Sequence, residues 1–220
     1  EEEAALAFAA ESEVAEGYLV IADISRSTAF LVGSELVHAG WAICEMLRRI
    51  LEVKTEPLTV SKMEGDAIFF YTKDCIALSP RELLAQIDAF EAAFYQAKER
   101  VQAALACECR GCRTVGSLEL KVIVHVGRFL VEPIGPFCEL VGLDVVIAHK
   151  LLKNGVPAKA YVLLTRSFIE VYSPQSTEPM PCFRLEQYDD IGEIEVGFLN
   201  RTRGDRVGEV HRDGPRRGTL

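Results

Sequence analysis

The sequence predicts an α+β domain, a mainly antiparallel sheet with helices packed on one face. Three observations carry that expectation. Runs rich in β-branched and aromatic residues, such as "YLVIAD" and "AIFFYT", read as strands, while two other segments repeat their apolar residues at helical spacing. The elements follow in the order β-α-β-β-α-β-(β)-α-β-(α)-β, an α+β pattern. The length of 220 residues suits one medium domain with a full core.

Taken in order, residues 18–23 form a buried strand that ends on Asp23. From about Ser34 to Val53, Leu36, Ala39, Ile43, Met46, Leu47, Ile50 and Leu51 recur on one face of a long amphipathic helix. After Pro57, "LTVSKMEGDAIFFYT" gives two strands meeting at Glu64-Gly65-Asp66. "SPRE" at 79–82 starts a second long helix, with Ser79 as cap, Pro80 in the first turn and Glu82 closing a capping box. Leu83, Leu84, Ile87, Phe90, Phe94 and Val101 form its apolar stripe. "LELKVIVHVG" and "RFLVEPIG" read as a strand pair, and "LDVVIAHKLLKN" as a shorter helix stopped by Gly155 and Pro157. "KAYVLLT" is a further strand, Thr165 caps a short helix, and "IGEIEVGFL" is a late strand. Residues 1–16 read as an N-terminal extension, 17–200 as the domain with a Cys-rich hairpin insert at about 105–116, and 201–220 as a flexible tail. There is no internal repeat.

The net charge of −9 argues against a nucleic-acid-coating surface. No run of about 18 uncharged apolar residues is present, so no membrane span is expected. The opening "EEEAALAFAAESEVAEG" is acidic where a secretory signal needs a basic start, and it lacks an initiator Met. Seven cysteines, an odd number, fit reduced thiols in a cytoplasmic setting.

Two carboxylates hold comparable places, Asp23 at a strand end and Asp66 in a tight turn. In a β-α-β-β unit the first and third strands lie side by side, which brings both acids together. Two readings stand: each aspartate caps its own turn, or the pair shares a hard divalent cation such as Mg²⁺ or Mn²⁺.

Four segments in register, "ADISRSTAFL", "KMEGDAIFF", "VHVG" at 124–127 and "ELVGLDVVIAHKL", resemble the class III adenylate/guanylate cyclase catalytic domains. The likeness spans roughly residues 17–200 and implies the ferredoxin-like class III nucleotidyl cyclase fold. "GYLVIADIS", "KMEGDA", the C-x-C-x-x-C cluster and "HKLLKN" more closely resemble an uncharacterised bacterial family related to those cyclases. The resemblance implies that Asp23, Asp66 and the backbone carbonyl of Ile24 hold two metal ions, and that Ser25, Arg26, Ser27 and Thr28 meet the phosphates of a nucleoside triphosphate. It places Lys62 and Glu139 at the base-reading positions and Lys150 at the transition-state cation. It also implies a homodimer, with Asp23, Asp66 and the phosphate loop from one chain and Glu139 and Lys150 from the other.

The departures bear on activity. Val146 stands where the family carries an Asn four residues after Gly142, and Lys150 stands where it carries an Arg. Val146 has no hydrogen-bonding group, and Lys150 keeps the charge of Arg without its fork. Arg26 replaces the phosphate-loop glycine. The function expected is thus a metal-dependent nucleotide-binding domain forming a cyclic nucleotide and pyrophosphate, or a catalytically degenerate dimerisation or sensing module of the same fold.

Cys107, Cys109 and Cys112 lie close enough in sequence for three thiolates to approach one Zn²⁺, with no fourth ligand evident from spacing; free thiols in a surface loop are the alternative. His125, inside an apolar alternation, reads as a hydrogen-bonded core residue. His38 and His149 read as solvent-exposed helix residues, and Cys44 as core.

Overall fold

Strand β1 (Glu13–Ser25) is the spine of the fold. Tyr18, Val20, Ala22 and Ile24 belong to one buried cluster and Leu19 and Ile21 to another. Side chains alternate across a strand, so β1 is covered on both faces, and for that reason its sequence is a continuous apolar run. The same alternation puts Asp23 on the face of Leu19 and Ile21. The computed structural model describes residues 13–104, 107, 109, 112–172 and 183–202. The expected extension and tail fall largely on 1–12 and 203–220, outside the described residues; β1 itself starts at Glu13, within the stretch read as extension.

After β1 come α1 (Ser27–Gly33), α2 (Leu36–Glu52), β2 (Thr59–Glu64), β3 (Ala67–Tyr71) and α3 (Pro80–Ala104). A 3₁₀ turn (Cys112–Ser117) leads to β4 (Glu119–Ile134), β5 (Phe137–Val141), α4 (Leu143–Lys150), β6 (Tyr161–Thr165), α5 (Arg166–Tyr172), β7 (Arg184–Tyr188) and β8 (Gly192–Asn200). Among the described residues the sheet has eight strands in the order β2-β3-β1-β4-β6-β8-β7, with β5 paired to β4. Among the strand pairings of the described residues only β4–β6 is parallel, as expected of a mainly antiparallel α+β sheet.

The two long helices and α5 cover one face, where Phe30, Met46, Phe90, Phe94 and Phe168 are buried together. Phe70 stacks on Phe90 at a ring separation of 5.0 Å. On the other face the short helix α4 sets Val145 and Ala148, with Leu151 just beyond its end, against Leu19, Ile21 and Phe69. The capping box at α3 forms as read: the Ser79 N–H donates to Glu82 at 2.9 Å and the Glu82 N–H to the Ser79 hydroxyl at 3.3 Å.

The structure corrects the sequence reading in several places: α4 lies on the face opposite the other helices, because Val145 and Ala148 bury against Leu19 and Ile21, and α1 is a helix separate from α2. The expected strand pair over 118–135 is a single strand, β4, because β1 pairs with it from Glu13↔Val131 through Ser25↔Glu119 without interruption. The hairpin turn comes later, at Gly135, whose φ of 60° suits glycine. Gly127 serves a close approach instead, since a Cβ there would lie 2.2 Å from the Asp144 carboxyl carbon. Strand β7 is an edge strand with little apolar alternation in "RLEQY", so its sequence carries no clear strand signal.

That approach locks α4 onto β4. His125, read as a hydrogen-bonded core residue, is 5% exposed; its Nδ1 meets the Thr165 hydroxyl at 2.9 Å and its Nε2 meets Asp144 at 2.8 Å. The Arg128 N–H donates to the other Asp144 oxygen at 2.7 Å. The His125 hydrogen bond chiefly holds the Asp144 carboxyl below its ordinary range, against the opposing effect of burial. A depressed folded-state pKa contributes stability that is complete above the unfolded value and lost as pH falls through the folded one. Asp144→Asn should therefore cost about 1–3 kcal/mol at neutral pH. The gap from wild type should close as urea melts are taken down past the ordinary aspartate value of 3.8.

Candidate active site

The end of β1 and the β2–β3 turn converge. Pairing of β1 with β3 ends at Asp23↔Ala67, one residue past Asp66, and the Ile24 N–H donates to the Asp66 carbonyl at 3.2 Å. Gly65, with φ of 62°, makes the turn possible. The Ser27 hydroxyl, from the first residue of α1, donates to the Asp66 carboxylate. Asp23, Ile24, Asp66 and the Ser25–Thr28 segment are thus brought together.

Arg26 adopts the left-handed conformation, with φ of 70°. That geometry costs a non-glycine residue on the order of 1 kcal/mol, so the chain keeps the backbone bend natural to glycine while placing a guanidinium there. A cleft of about 350 Å³ adjoins this residue, lined also by Glu119, Lys159 and Thr202; neither aspartate lines it.

Asp23 has a partner that the sequence reading missed. Lys121 lies directly opposite it on β4 and its ammonium approaches the carboxylate to 2.8 Å, while also donating to the Leu152 carbonyl at 3.1 Å. Burial pushes the Asp23 carboxyl up; Lys121 opposes that shift and neighbouring Asp66 adds to it. The donor set of two carboxylates and a backbone carbonyl is all oxygen, as hard cations require, and two acids against the single Lys121 leave a negative balance. The residues therefore fit a Mg²⁺ or Mn²⁺ ion.

A second group forms where β2 meets β5. The Lys62 ammonium lies 3.3 Å from Glu64 and 3.4 Å from Glu139. Burial alone would lower the Lys62 pKa, but its hydrogen bonds and charge contacts with the two glutamates raise it on balance. His149, read as exposed, is half-buried, edge-on to Phe69 and 3.8 Å from Glu64; burial lowers its pKa. Lys150 does not join either group. At the last position of α4, it pairs with Asp190 at 2.6 Å.

The three cysteines meet a fourth residue. The ligand atoms of Cys107, Cys109, Cys112 and His38 all lie within 4.8 Å of one another. His38 is therefore not simply a solvent-exposed helix residue, and its sequence gave no signal because it lies more than sixty residues from the cysteines. A backbone hydrogen bond from Cys112 is the main cause holding the Cys109 thiol down at about 6, and burial pushes the Cys112 thiol up. Cys44 proves exposed, since it falls off the stripe formed by Ala39, Ala42, Ile43, Met46, Leu47 and Ile50. The six cysteines among the described residues are all free. No helix among the described residues is long and apolar enough to cross a membrane.

This sheet, with paired acids at the β1 and β2–β3 ends, is the class III nucleotidyl cyclase fold. The chain is similar to the adenylyl cyclase CyaB from P. aeruginosa, with a TM-score of 0.65 and 12% identity over 88% of this chain and 98% of that one. It is equally similar to the guanylyl cyclase Cya2, with a TM-score of 0.65 and 11% identity over 88% and 97% of the two chains. The guanylate cyclase domain of RhGC from Catenaria anguillulae, solved in complex with GTP, matches with a TM-score of 0.59 and 12% identity over 84% of this chain and 97% of that one. Identities this low show the fold alone. By sequence the chain belongs to the family described as "Protein of unknown function (DUF2652)", whose model matches residues 43–161, more than half its length. An uncharacterized protein of Mycobacterium tuberculosis, Rv2561/Rv2562, is 22% identical over 168 residues, covering 74% of this chain and 75% of that protein. The chain thus joins the class III nucleotidyl cyclase fold to membership of that family.

Proposed function

We propose that this domain binds a nucleoside triphosphate with Mg²⁺ or Mn²⁺ and converts it slowly into a cyclic nucleotide and pyrophosphate. The observation that carries this reading is the convergence of Asp23 and Asp66 beside the Ser25–Thr28 loop. Asp23, Asp66 and the Ile24 carbonyl would hold the metal, which supplies activation of the ribose 3′-hydroxyl and charge neutralisation at the triphosphate. In the reaction the 3′-oxygen loses its proton and bonds to the α-phosphorus, while the bond from that phosphorus to the pyrophosphate oxygen breaks. Lys121 holds Asp23 in place, Ser27 orients Asp66, and Arg26 supplies a cation to the phosphates.

Lys62 and Glu139 offer one donor and one acceptor side by side. That pairing complements the N1 acceptor and 6-amino donor of adenine, and equally the O6 acceptor and N1–H donor of guanine, so it suits a purine without choosing between ATP and GTP. A homodimer completes the site, with the Lys62–Glu139 pair and Lys150 of one chain contributed across the interface to the aspartates and phosphate loop of the other. In support, Ile134, Phe137, Val141, Leu143 and Val146 are exposed apolar residues on the β4–β5 hairpin and α4. Exposed apolar side chains gathered on one hairpin and the helix that follows it suit a partner surface.

A second reading, binding without turnover, is favoured by Val146, which offers ribose no hydrogen bond. The two separate in one experiment. Purified chain with Mn²⁺ and each of the four triphosphates is assayed for cyclic product, and calorimetry measures uptake of a non-hydrolysable analogue. Metal-dependent uptake with slow formation of cyclic product is expected. Uptake without product leaves the binding reading alone, and no metal-dependent uptake overturns both.

A further inference from the structure

We infer that Cys107, Cys109, Cys112 and His38 form a closed zinc site that clips the connection between α3 and β4 to the first turn of α2. The site is separate from the paired aspartates and independent of the nucleotide reading. Its four ligands come from two distant parts of the chain, His38 from α2, Cys107 and Cys109 from before the 3₁₀ turn and Cys112 from that turn's first position. Zinc bonds to sulfur at about 2.3 Å and to nitrogen at about 2.0–2.1 Å, so tetrahedral ligands stand roughly 3.5–4 Å apart. The Cys112 sulfur and His38 Nδ1 already lie 3.6 Å apart, and the whole group needs to contract only slightly from 4.8 Å.

The backbone is arranged for thiolates. The Cys109 N–H donates to the Cys107 sulfur at 3.3 Å and the Cys112 N–H to the Cys109 sulfur at 3.4 Å. Bonds from N–H groups to ligand sulfurs fix first-neighbour ligands and offset the negative charge of three thiolates. Three sulfurs and one nitrogen are a soft donor set, suited to zinc and unsuited to the magnesium-type ion proposed at Asp23 and Asp66. Four protein ligands leave no open position, so the role is structural.

The site's place in the chain gives it a consequence. α2 follows directly on α1, which begins at Ser27 in the candidate phosphate loop, and the short link between them contains Glu35, whose carboxylate lies 3.7 Å from His38 Nδ1. Zinc would anchor the start of α2 and with it the far end of that loop-bearing segment. The competing arrangement is a plain His38–Glu35 ion pair beside three free thiols.

The test is metal analysis of the full chain purified under reducing conditions without added metal, followed by cobalt exchange. About one zinc per chain is expected. The cobalt form should show the intense thiolate-to-metal absorption and visible bands of a tetrahedral site, and alkylation should be blocked at Cys107, Cys109 and Cys112 until a strong chelator is added. Chelation should also lower the melting temperature of wild type, a readout that needs no variant to fold. His38→Ala should bind cobalt more weakly with shifted visible bands, and Cys109→Ser should lose the sulfur signature of that ligand. Fresh protein without zinc that also gives no thiolate absorption with cobalt overturns the site. An unchanged cobalt spectrum in His38→Ala overturns the four-ligand assignment.

Discussion

Val146→Asn combined with Lys150→Arg is expected to raise cyclic-nucleotide formation by about 10²-fold, the amount commonly lost when a positioned donor is removed from a site that stabilises developing charge. The two substitutions install the groups that the resemblance to class III cyclases implies at these positions. Position 146 tolerates the change because Val146 is 43% exposed on α4, so no core packing is lost, and Asn and Val differ little in helix propensity. At position 150 the tether is already present: Asp190 holds the ammonium at 2.6 Å and would hold a guanidinium equally well. Arg adds a planar fork of donors where Lys presents a compact charge. The check is product formation with Mn²⁺ under saturating triphosphate, alongside binding of the analogue. A rate unchanged in the double variant, with binding intact, would count against cyclisation as the function of this site.

Asp66→Ala is expected to abolish metal-dependent uptake of the analogue, weakening it by at least about 10²-fold, because losing a direct metal ligand exceeds the 10–100-fold cost of losing a neighbour of one. Asp66 lies in a partly exposed turn, so the fold should survive with a loss of about 1 kcal/mol or less. Asp23→Asn should produce the same loss of uptake, and its neutral amide leaves Lys121 a hydrogen-bond acceptor in place of an ion-pair partner. Measuring both variants by calorimetry, with melting curves to confirm folding, distinguishes a lost site from a lost structure. Normal metal-dependent uptake in either variant would contradict the shared ion.

Much of this arrangement was legible in the sequence, for identifiable reasons. β1 could be read because burial on both faces makes its residues uniformly apolar, and α3 because Ser79 and Glu82 close a capping box ahead of a regular stripe. The meeting of Asp23 and Asp66 followed from strand order alone. The hidden features depend on partners that local pattern cannot supply. Lys121 looks like an ordinary lysine in a strand until β4 is set in register against β1. His38 joins the cysteines only when the end of α3 returns beside the start of α2. β4 looked like two strands because Gly127 and Arg128 resemble a turn, whereas the glycine makes room for Asp144. Cys44 was misplaced by one position of helical phase, enough to move it from the apolar stripe to solvent.

Anomalous diffraction from crystals grown with Mn²⁺ and a non-hydrolysable triphosphate tests the central claim most directly. The account predicts a manganese peak bounded by the carboxylates of Asp23 and Asp66, with the phosphates seated against Ser25–Thr28. Manganese bound elsewhere, or triphosphate density with no ion between those two side chains, would contradict it.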